Sequence, residues 1–395
     1  MGMTLPKFPT ERDEKRQYLL DAVDAIRERV AASVDESERL GTLAPDAVDA
    51  VRDEGLFTLK LPMALGGAEA DPVTQIEIIE ELAYIDAAAG WCLMIGATAI
   101  GRPGAFISED AVPEMFPGGR VPTAATSTAL TGKAIPVDGG YMLSGRWPFA
   151  SGVRHAEWMT AGASIPARGN TEETGVTLVY PVSEGRIHDN WQVMGLEGSG
   201  SNDISVENLF VPDAFVWETA LWEPKRGGGI YRMGRPGFVA NEHSGVALGI
   251  ARRALDEIIY KAPFKKRGNP PTASLADREA FRGDIGVCDM RLRAARMLAH
   301  DVFERAYAIC CAGEVPDANV QSEMRAVSAY VTQVAVDVAT TAFRYEGGSA
   351  IHRSNILQRC LRNINAAAQH FMVSDSSLES YGATLLDVEN VRPMA

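Results

Sequence analysis

The spacing of apolar residues changes twice along the chain. From about residue 10 to 118 it is helical: Asp21 to Val34 carries apolar residues at helical spacing, Pro72 to Ala88 places Ile76, Ile79, Leu82 and Ala83 on one face, and Ala89 to Ile100 is apolar enough to be a buried helix. From about 120 to 225 the period falls to two. Tyr141, Leu143, Gly145 and Trp147 alternate with polar neighbours, VTLVYPV and DISVENLFVP read as strands, and Asp138-Gly139-Gly140 signals a hairpin. From about 236 long helices return. Val327, Tyr330, Val331, Val334 and Val338 form one stripe, Met290, Ala294, Met297 and Leu298 another, and KKRGNPPTA over 265–273 interrupts two of these helices. The pattern predicts an α+β protein: an N-terminal helical domain over 1–119, a central antiparallel β-barrel or sandwich over 120–235, and a C-terminal four-helix bundle over 236–395. A cleft is expected where such zones meet, and clefts of that kind favour cofactors.

Composition narrows the function. The 395 residues are 46% hydrophobic, ample for a large core. Fifty-two acidic against 38 basic residues give a net charge of −14, which argues against sequence-independent nucleic-acid binding. Five cysteines without metal-ligand spacing read as reduced thiols of a cytoplasmic protein. No signal peptide and no apolar run long enough to span a bilayer are expected, so no membrane association.

Several residues carry chemistry. His370 ends the helical string NINAAAQH, where Ala366 and Ala367 lie on its own face and leave room beside the imidazole. A histidine there exchanges a proton near neutral pH, or else is a packed histidine at a helix end. In a strand, Trp147, Phe149 and Ser151 share one face; the plainer reading of Ser151 is a turn serine before Gly152. Trp91 either walls a substrate cleft or packs in the core. GSGSND at 198–203 is not a phosphate loop, because a strand rather than a helix follows it; a tight turn lining a substrate entrance, with Ser199 in it, fits better. His155 reads as structural, and no histidine has a partner at ligand spacing, so no metal is assigned.

Four strings in order carry a resemblance: LPMALGGAEADPVTQIEIIEELAYIDAAAGW, WPFASGVRHAEW, GLEGSGSNDISVENLFVP and EGGSAIHRSNILQRCLRN. Together they resemble the acyl-CoA dehydrogenase superfamily over nearly the whole chain. Many of its dehydrogenases carry a catalytic glutamate about two dozen residues after the Gly-Gly turn. Counting from Gly347-Gly348 gives His370 instead, which resembles the two-component flavin-dependent monooxygenase (group D) branch, as do the spacing of Phe149, Ser151, Gly152, His155 and Trp158 and the string Gly198-Ser199-Gly200-Ser201-Asn202-Asp203.

The resemblance implies a reduced-flavin-dependent monooxygenase. It would take reduced FMN or FAD and molecular oxygen, and use a flavin C4a-hydroperoxide to oxygenate an aromatic, polycyclic or carrier-bound or CoA-bound small molecule. A separate flavin reductase would supply the flavin, and the assembly would be a homotetramer. Ser151 and His370 would be catalytic. Thr126, Ser127, Trp147, Phe149, Arg267, Arg344, Gly347 and Gly348 would contact the cofactor, Arg267 from a basic loop that reads equally well as solvated. Trp91, Ser199 and Glu242 would contact substrate. One departure stands out: residues 91–104, WCLMIGATAIGRPG, offer no histidine or tyrosine as a substrate-activating base. The alternatives are an acyl-CoA dehydrogenase or thioester oxidase with a relocated base, Glu242 or Asp375, and a non-catalytic subunit of the superfamily.

Overall fold

The structure is a computed structural model and describes residues 7–167, 173–221, 223–268 and 271–394; for 267, 268, 271 and 272 it describes the backbone alone. The first half is helical: α1 (Arg12–Ala25), α2 (Arg27–Leu40), α3 (Pro45–Asp53), α4 (Pro72–Ile85), α5 (Ala87–Phe106) and the short α6 (Val112–Met115). Seven strands follow: β1 (Ala124–Val137), β2 (Gly140–Trp147), β3 (Trp158–Ile165), β4 (Thr174–Pro181), β5 (Arg186–Ile187), β6 (Ile204–Pro212) and β7 (Val216–Glu218). The last part holds α7 (Gly234–Lys261), a small hairpin of β8 (Lys266–Gly268) and β9 (Pro271–Ser274), then α8 (Glu279–Cys311), α9 (Ala318–Glu346), α10 (Ile356–Ala367) and α11 (Ser376–Leu385).

By compactness the chain forms two units. One comprises residues 1–71, 91–193 and 197–232; the other comprises 72–90, 194–196 and 233–395. The first contains the sheet, in the order β5-β6-β2-β1-β3-β4-β7. Asp138-Gly139 makes the expected two-residue hairpin turn, with Val137 opposite Gly140 and Gly139 at φ +74°. The antiparallel expectation is corrected at one ladder, because β1 and β3 run parallel, Ala124 beside Trp158, so the sheet is mixed. The chain leaves β2 for the Ser151 turn before entering β3, and that excursion allows a parallel return. Among the described residues no pairing joins β5 to β7, so the sheet is open.

The second unit packs α4 and α9 against α7, with α8 against α9. Helices α10 and α11 also lie on α9, so the arrangement is more than four helices. The stripe of α9 is core: Val331 and Val334 are fully buried and Val338 nearly so, although Tyr330 is half-exposed. The stripe of α8 is not, since Met290 and Met297 are 64% and 72% exposed while Leu292, Ala295, Ala299 and Phe303 form its buried face. By length and apolar content 318–351 would pass as a membrane span, which corrects the expectation of no such run; 61% of its apolar window is buried, as in a core helix.

Candidate functional site

Two turns, one in each unit, hold the residues with the most chemistry. In the first unit the strand alternation ends at Trp147. Its indole is fully buried, donates to the Gly162 carbonyl over 2.6 Å, and lies where a Cβ on Gly132 would come within 2.4 Å of the ring. Trp147 is therefore a core residue with no surface for a cofactor, and it does not share a face with Phe149 and Ser151 as strand periodicity predicts. Phe149 is turned outward: it takes φ +58° and is 68% exposed, its ring set edge-on to Trp191 at 6.3 Å. A left-handed aromatic residue is strained, and such strain concentrates at functional turns.

Ser151, two residues on, is buried in a chain of hydroxyls. Trp91 Nε1 donates to Ser151 Oγ over 2.9 Å, Ser151 Oγ lies 2.7 Å from Ser201 Oγ, and Ser201 Oγ lies 2.7 Å from Ser199 Oγ. The 199–202 segment is fastened to the turn by backbone bonds from Ala150 N to the Asn202 carbonyl, 3.1 Å, and from Gly152 N to the Ser199 carbonyl, 2.9 Å. Ser199 has no exposed surface, so it supports the Ser151 turn rather than lining an entrance. Trp91 is 6% exposed and serves the same turn through its N–H. Thr126 Oγ1 donates to the Thr160 carbonyl at 3.0 Å and Ser127 Oγ to the Pro148 carbonyl at 2.9 Å; both hydroxyl protons are committed inside the unit. Beneath the turn lies His155, where a Cβ on Gly152 (φ +75°) would come 2.8 Å from Nε2. Desolvation pushes the His155 imidazole down to about 4, and its Nδ1 has no hydrogen-bond partner among the described residues, in keeping with a structural part.

In the second unit His370 follows α10. Its Nδ1 accepts from Met372 N at 3.2 Å, so the ring caps the short turn Phe371–Val373. His243 of α7 lies against it, ring centroids 4.4 Å apart. Burial, then the charges of Arg235 and Arg325, push His370 down to about 4. Arg325, 2% exposed on α9, donates to the carbonyls of Phe371 and Pro393, each at 2.8 Å. Glu242 is fully buried on α7. Asp375, the other base considered, is in hydrogen-bond range of Gln333 at 3.5 Å.

Farther along, Gly347 caps α9 at φ +67°, and Gly348 and Arg344 are exposed. Glu346 anchors this corner. It accepts from Ser349 Oγ at 2.7 Å and Asn355 Nδ2 at 2.9 Å, and lies 3.7 Å from Lys261 Nζ and 3.4 Å from Lys265 Nζ. Burial raises its carboxyl, but these hydrogen bonds and the two lysines hold it below the usual range. The Arg267 side chain lies outside the described residues. Ser201, Trp191, Arg235, His243, Arg325 and Glu346 are absent from the sequence-based set; each matters through a tertiary neighbour that no local spacing announces.

Family models match at both ends of the chain: the acyl-CoA dehydrogenase N-terminal domain over residues 12–107 and the acyl-CoA dehydrogenase C-terminal domain over 242–375. The chain belongs to the acyl-CoA dehydrogenase family. Relatives it resembles are named as monooxygenases, hydroxylases or oxygenase components. The indole-3-acetate monooxygenase of Pseudomonas putida is 29% identical over 369 residues, covering 91% of each chain. The oxygenase subunit HsaA of a Mycobacterium tuberculosis flavin-dependent monooxygenase is 27% identical, covering 90% of this chain and 91% of that one. The crystal structure of XiaF from Streptomyces, in complex with FADH2 and glycerol, shares the fold with a TM-score of 0.88 at 22% identity, covering 97% and 98%.

Within the first unit, the residues fit the flat, polar-edged ring of a flavin. Phe149 offers exposed aromatic surface two residues before the hydroxyl-bearing Ser151. The ladder between β1 and β2 runs from Lys133 to Val137, beyond Thr126 and Ser127 along β1.

Proposed function

We propose that this protein is the oxygenase component of a two-component monooxygenase, acting on an aromatic or polycyclic small molecule. The observation that carries the reading is the match, over about nine-tenths of the chain, to proteins named as monooxygenases or their oxygenase subunits. Position 370 agrees with it, since an imidazole stands there and a thioester dehydrogenase needs a carboxylate base. Bound reduced FMN or FAD supplies the electrons that activate oxygen.

The chain's own residues do the rest. Phe149, with Trp191 at its edge, stacks against the ring system. The buried hydroxyl of Ser151, already accepting from Trp91, turns its proton outward when Ser201 and Ser199 donate along the chain toward it. The stretch of β1 at Thr126 and Ser127 meets the polar end of the ring. Arg344, Gly347, Gly348 and Arg267 meet the phosphate-bearing tail, where glycine lets the backbone come close. Glu242 on α7 contacts substrate.

Three further readings belong to the proposal. A separate flavin reductase supplies reduced flavin, as the relatives' description as oxygenase subunits supports. The chain assembles as a homotetramer, supported by the exposed stripe of Val287, Met290, Met297 and Leu298 on α8, an apolar face that stays exposed among the described residues. The compartment is the cytoplasm, which suits five cysteines that are all free thiols.

The test mixes the protein without air with reduced FMN or FAD, then with 18O2, in the presence of indole-3-acetate or resorcinol as probes. A product carrying one labelled oxygen is the expected result. Direct reoxidation without product, together with bleaching of oxidised flavin by an acyl-CoA, would replace this reading with a dehydrogenase and make Glu242 the first residue to substitute.

A further inference from the structure

The turn after α10 fixes the protonation of His370 as well as its position. The backbone N–H of Met372 points at His370 Nδ1 over 3.2 Å. A peptide N–H only donates, so Nδ1 presents its lone pair and carries no proton; in a neutral ring the single proton then sits on Nε2. The surroundings oppose a second proton. From α7 come Arg235 and the imidazole of His243, 5% exposed with its ring centroid 4.4 Å away. From α9 comes Arg325, and the Phe371 ring centroid lies 4.8 Å off. Arg325 cannot swing away without releasing the carbonyls of Phe371 and Pro393 and its weaker contacts to Ser374 and Ser376 at 3.4 and 3.2 Å.

We propose that His370 stands as the neutral imidazole with its one proton on Nε2, a hydrogen-bond donor and not a general base. An Nε2–H has no in-plane lone pair to receive a substrate proton, whereas it can hold an oxygen on which negative charge grows. That use in the reaction rests on the monooxygenase reading; the tautomer does not. Arg325 and His243 are positioning residues for it, since they act through the His370 turn.

Magic-angle-spinning NMR of the sedimented, flavin-free, full-length protein labelled with 13C,15N-histidine reads the tautomer directly. The chain has six histidines, and the His370 signals are those lost in His370→Gln. The expected pattern at pH 7 is one protonated and one bare ring nitrogen with the carbon shifts of the Nε2–H form, unchanged at pH 5.5. Two protonated nitrogens, or the Nδ1–H form, would overturn the proposal. If the variant does not fold, neutron diffraction from wild-type crystals decides: a deuteron on Nε2 alone supports the assignment, and one on Nδ1 contradicts it. A protein that shows the Nε2–H form yet takes up no flavin would refute the oxygenase reading and leave this one standing.

Discussion

His155, beneath the Ser151 turn, and His370, after α10, are both pushed down to about 4, but different forces hold them there. For His155 the cause is desolvation alone: the ring sits under Gly152, tilted against Phe57, with no nearby charge shifting it. For His370 desolvation comes first and two guanidiniums add to it. The turns they support differ in the same way. The Ser151 turn is built from neutral hydroxyls and backbone bonds, so its geometry is a matter of shape. The His370 turn is tied down by the buried cation of Arg325, whose charge also adds to the desolvation that keeps the ring neutral. A neutral imidazole can thus be enforced by burial alone or by burial with added charge, and only the second kind responds to removing a distant charge.

Arg325→Met separates the two most sharply. It removes the charged donor from the carbonyls of Phe371 and Pro393, and each hydrogen bond to a charged group is worth about 1.5–3 kcal/mol. Urea unfolding is expected to show a loss of about 3–5 kcal/mol. A loss under 1 kcal/mol would mean that the turn is held by packing, as in the first unit, and the contrast would fail.

Acid acts on both turns. An unfolded histidine gains a proton below its ordinary value near 6.5, whereas folded His155 and His370 resist until about 4. Between those values the unfolded chain binds more protons, so stability is full above pH 6.5 and drains away as pH falls toward 4. The drain is at most about 3 kcal/mol for each ring. Thermal unfolding followed from pH 7 to 4 should show it in wild type, and His155→Phe should remove only part. A flat profile through this window would deny that the rings are held neutral.

Gly152→Ala tests the shape-built turn. The residue stands at φ +75° and the new methyl would meet His155 Nε2 at 2.8 Å. The expected cost is about 1–3 kcal/mol, with the His155 signals displaced and those of His370 unmoved. Displacement of both sets would show that the two turns are not independent.

The unequal legibility of these turns follows from the same physics. Period-two alternation from Tyr141 to Trp147, the Asp138-Gly139 hairpin and the long C-terminal helices are local patterns, and all are present. The apolar stripe of α8 was legible as a stripe, but spacing cannot tell a face buried in the chain from one left at 64–72% exposure for Met290 and Met297. Alternation also carries Phe149 onto the face of Trp147, because nothing local in Trp-Pro-Phe-Ala-Ser announces a left-handed phenylalanine; the cause is the distant 199–202 segment bonded to Ala150 and Gly152. The parallel ladder of β1 and β3 is invisible for the same reason. Ser151 and His370 were found through the family pattern, whereas Arg325 lies 45 residues before His370 in sequence and only the folded turn connects them.

Arg235→Gln has the smallest effect and makes the finest distinction. Arg235 contributes to His370 through its charge, after desolvation and alongside Arg325, and it does not figure in the shift of His155. Removing the charge while keeping a polar side chain leaves desolvation and the second guanidinium in place. The His370 protonation midpoint should therefore rise by less than about one unit, worth under ~1.4 kcal/mol, while the His155 midpoint stays where it is. Both are read from the same 15N signals during one acid titration, so the second ring is an internal control for any general loosening of the fold. If the two midpoints rise together, Arg235 acts by packing. If neither moves, burial alone holds His370 neutral, and the two imidazoles would be governed by one force instead of two.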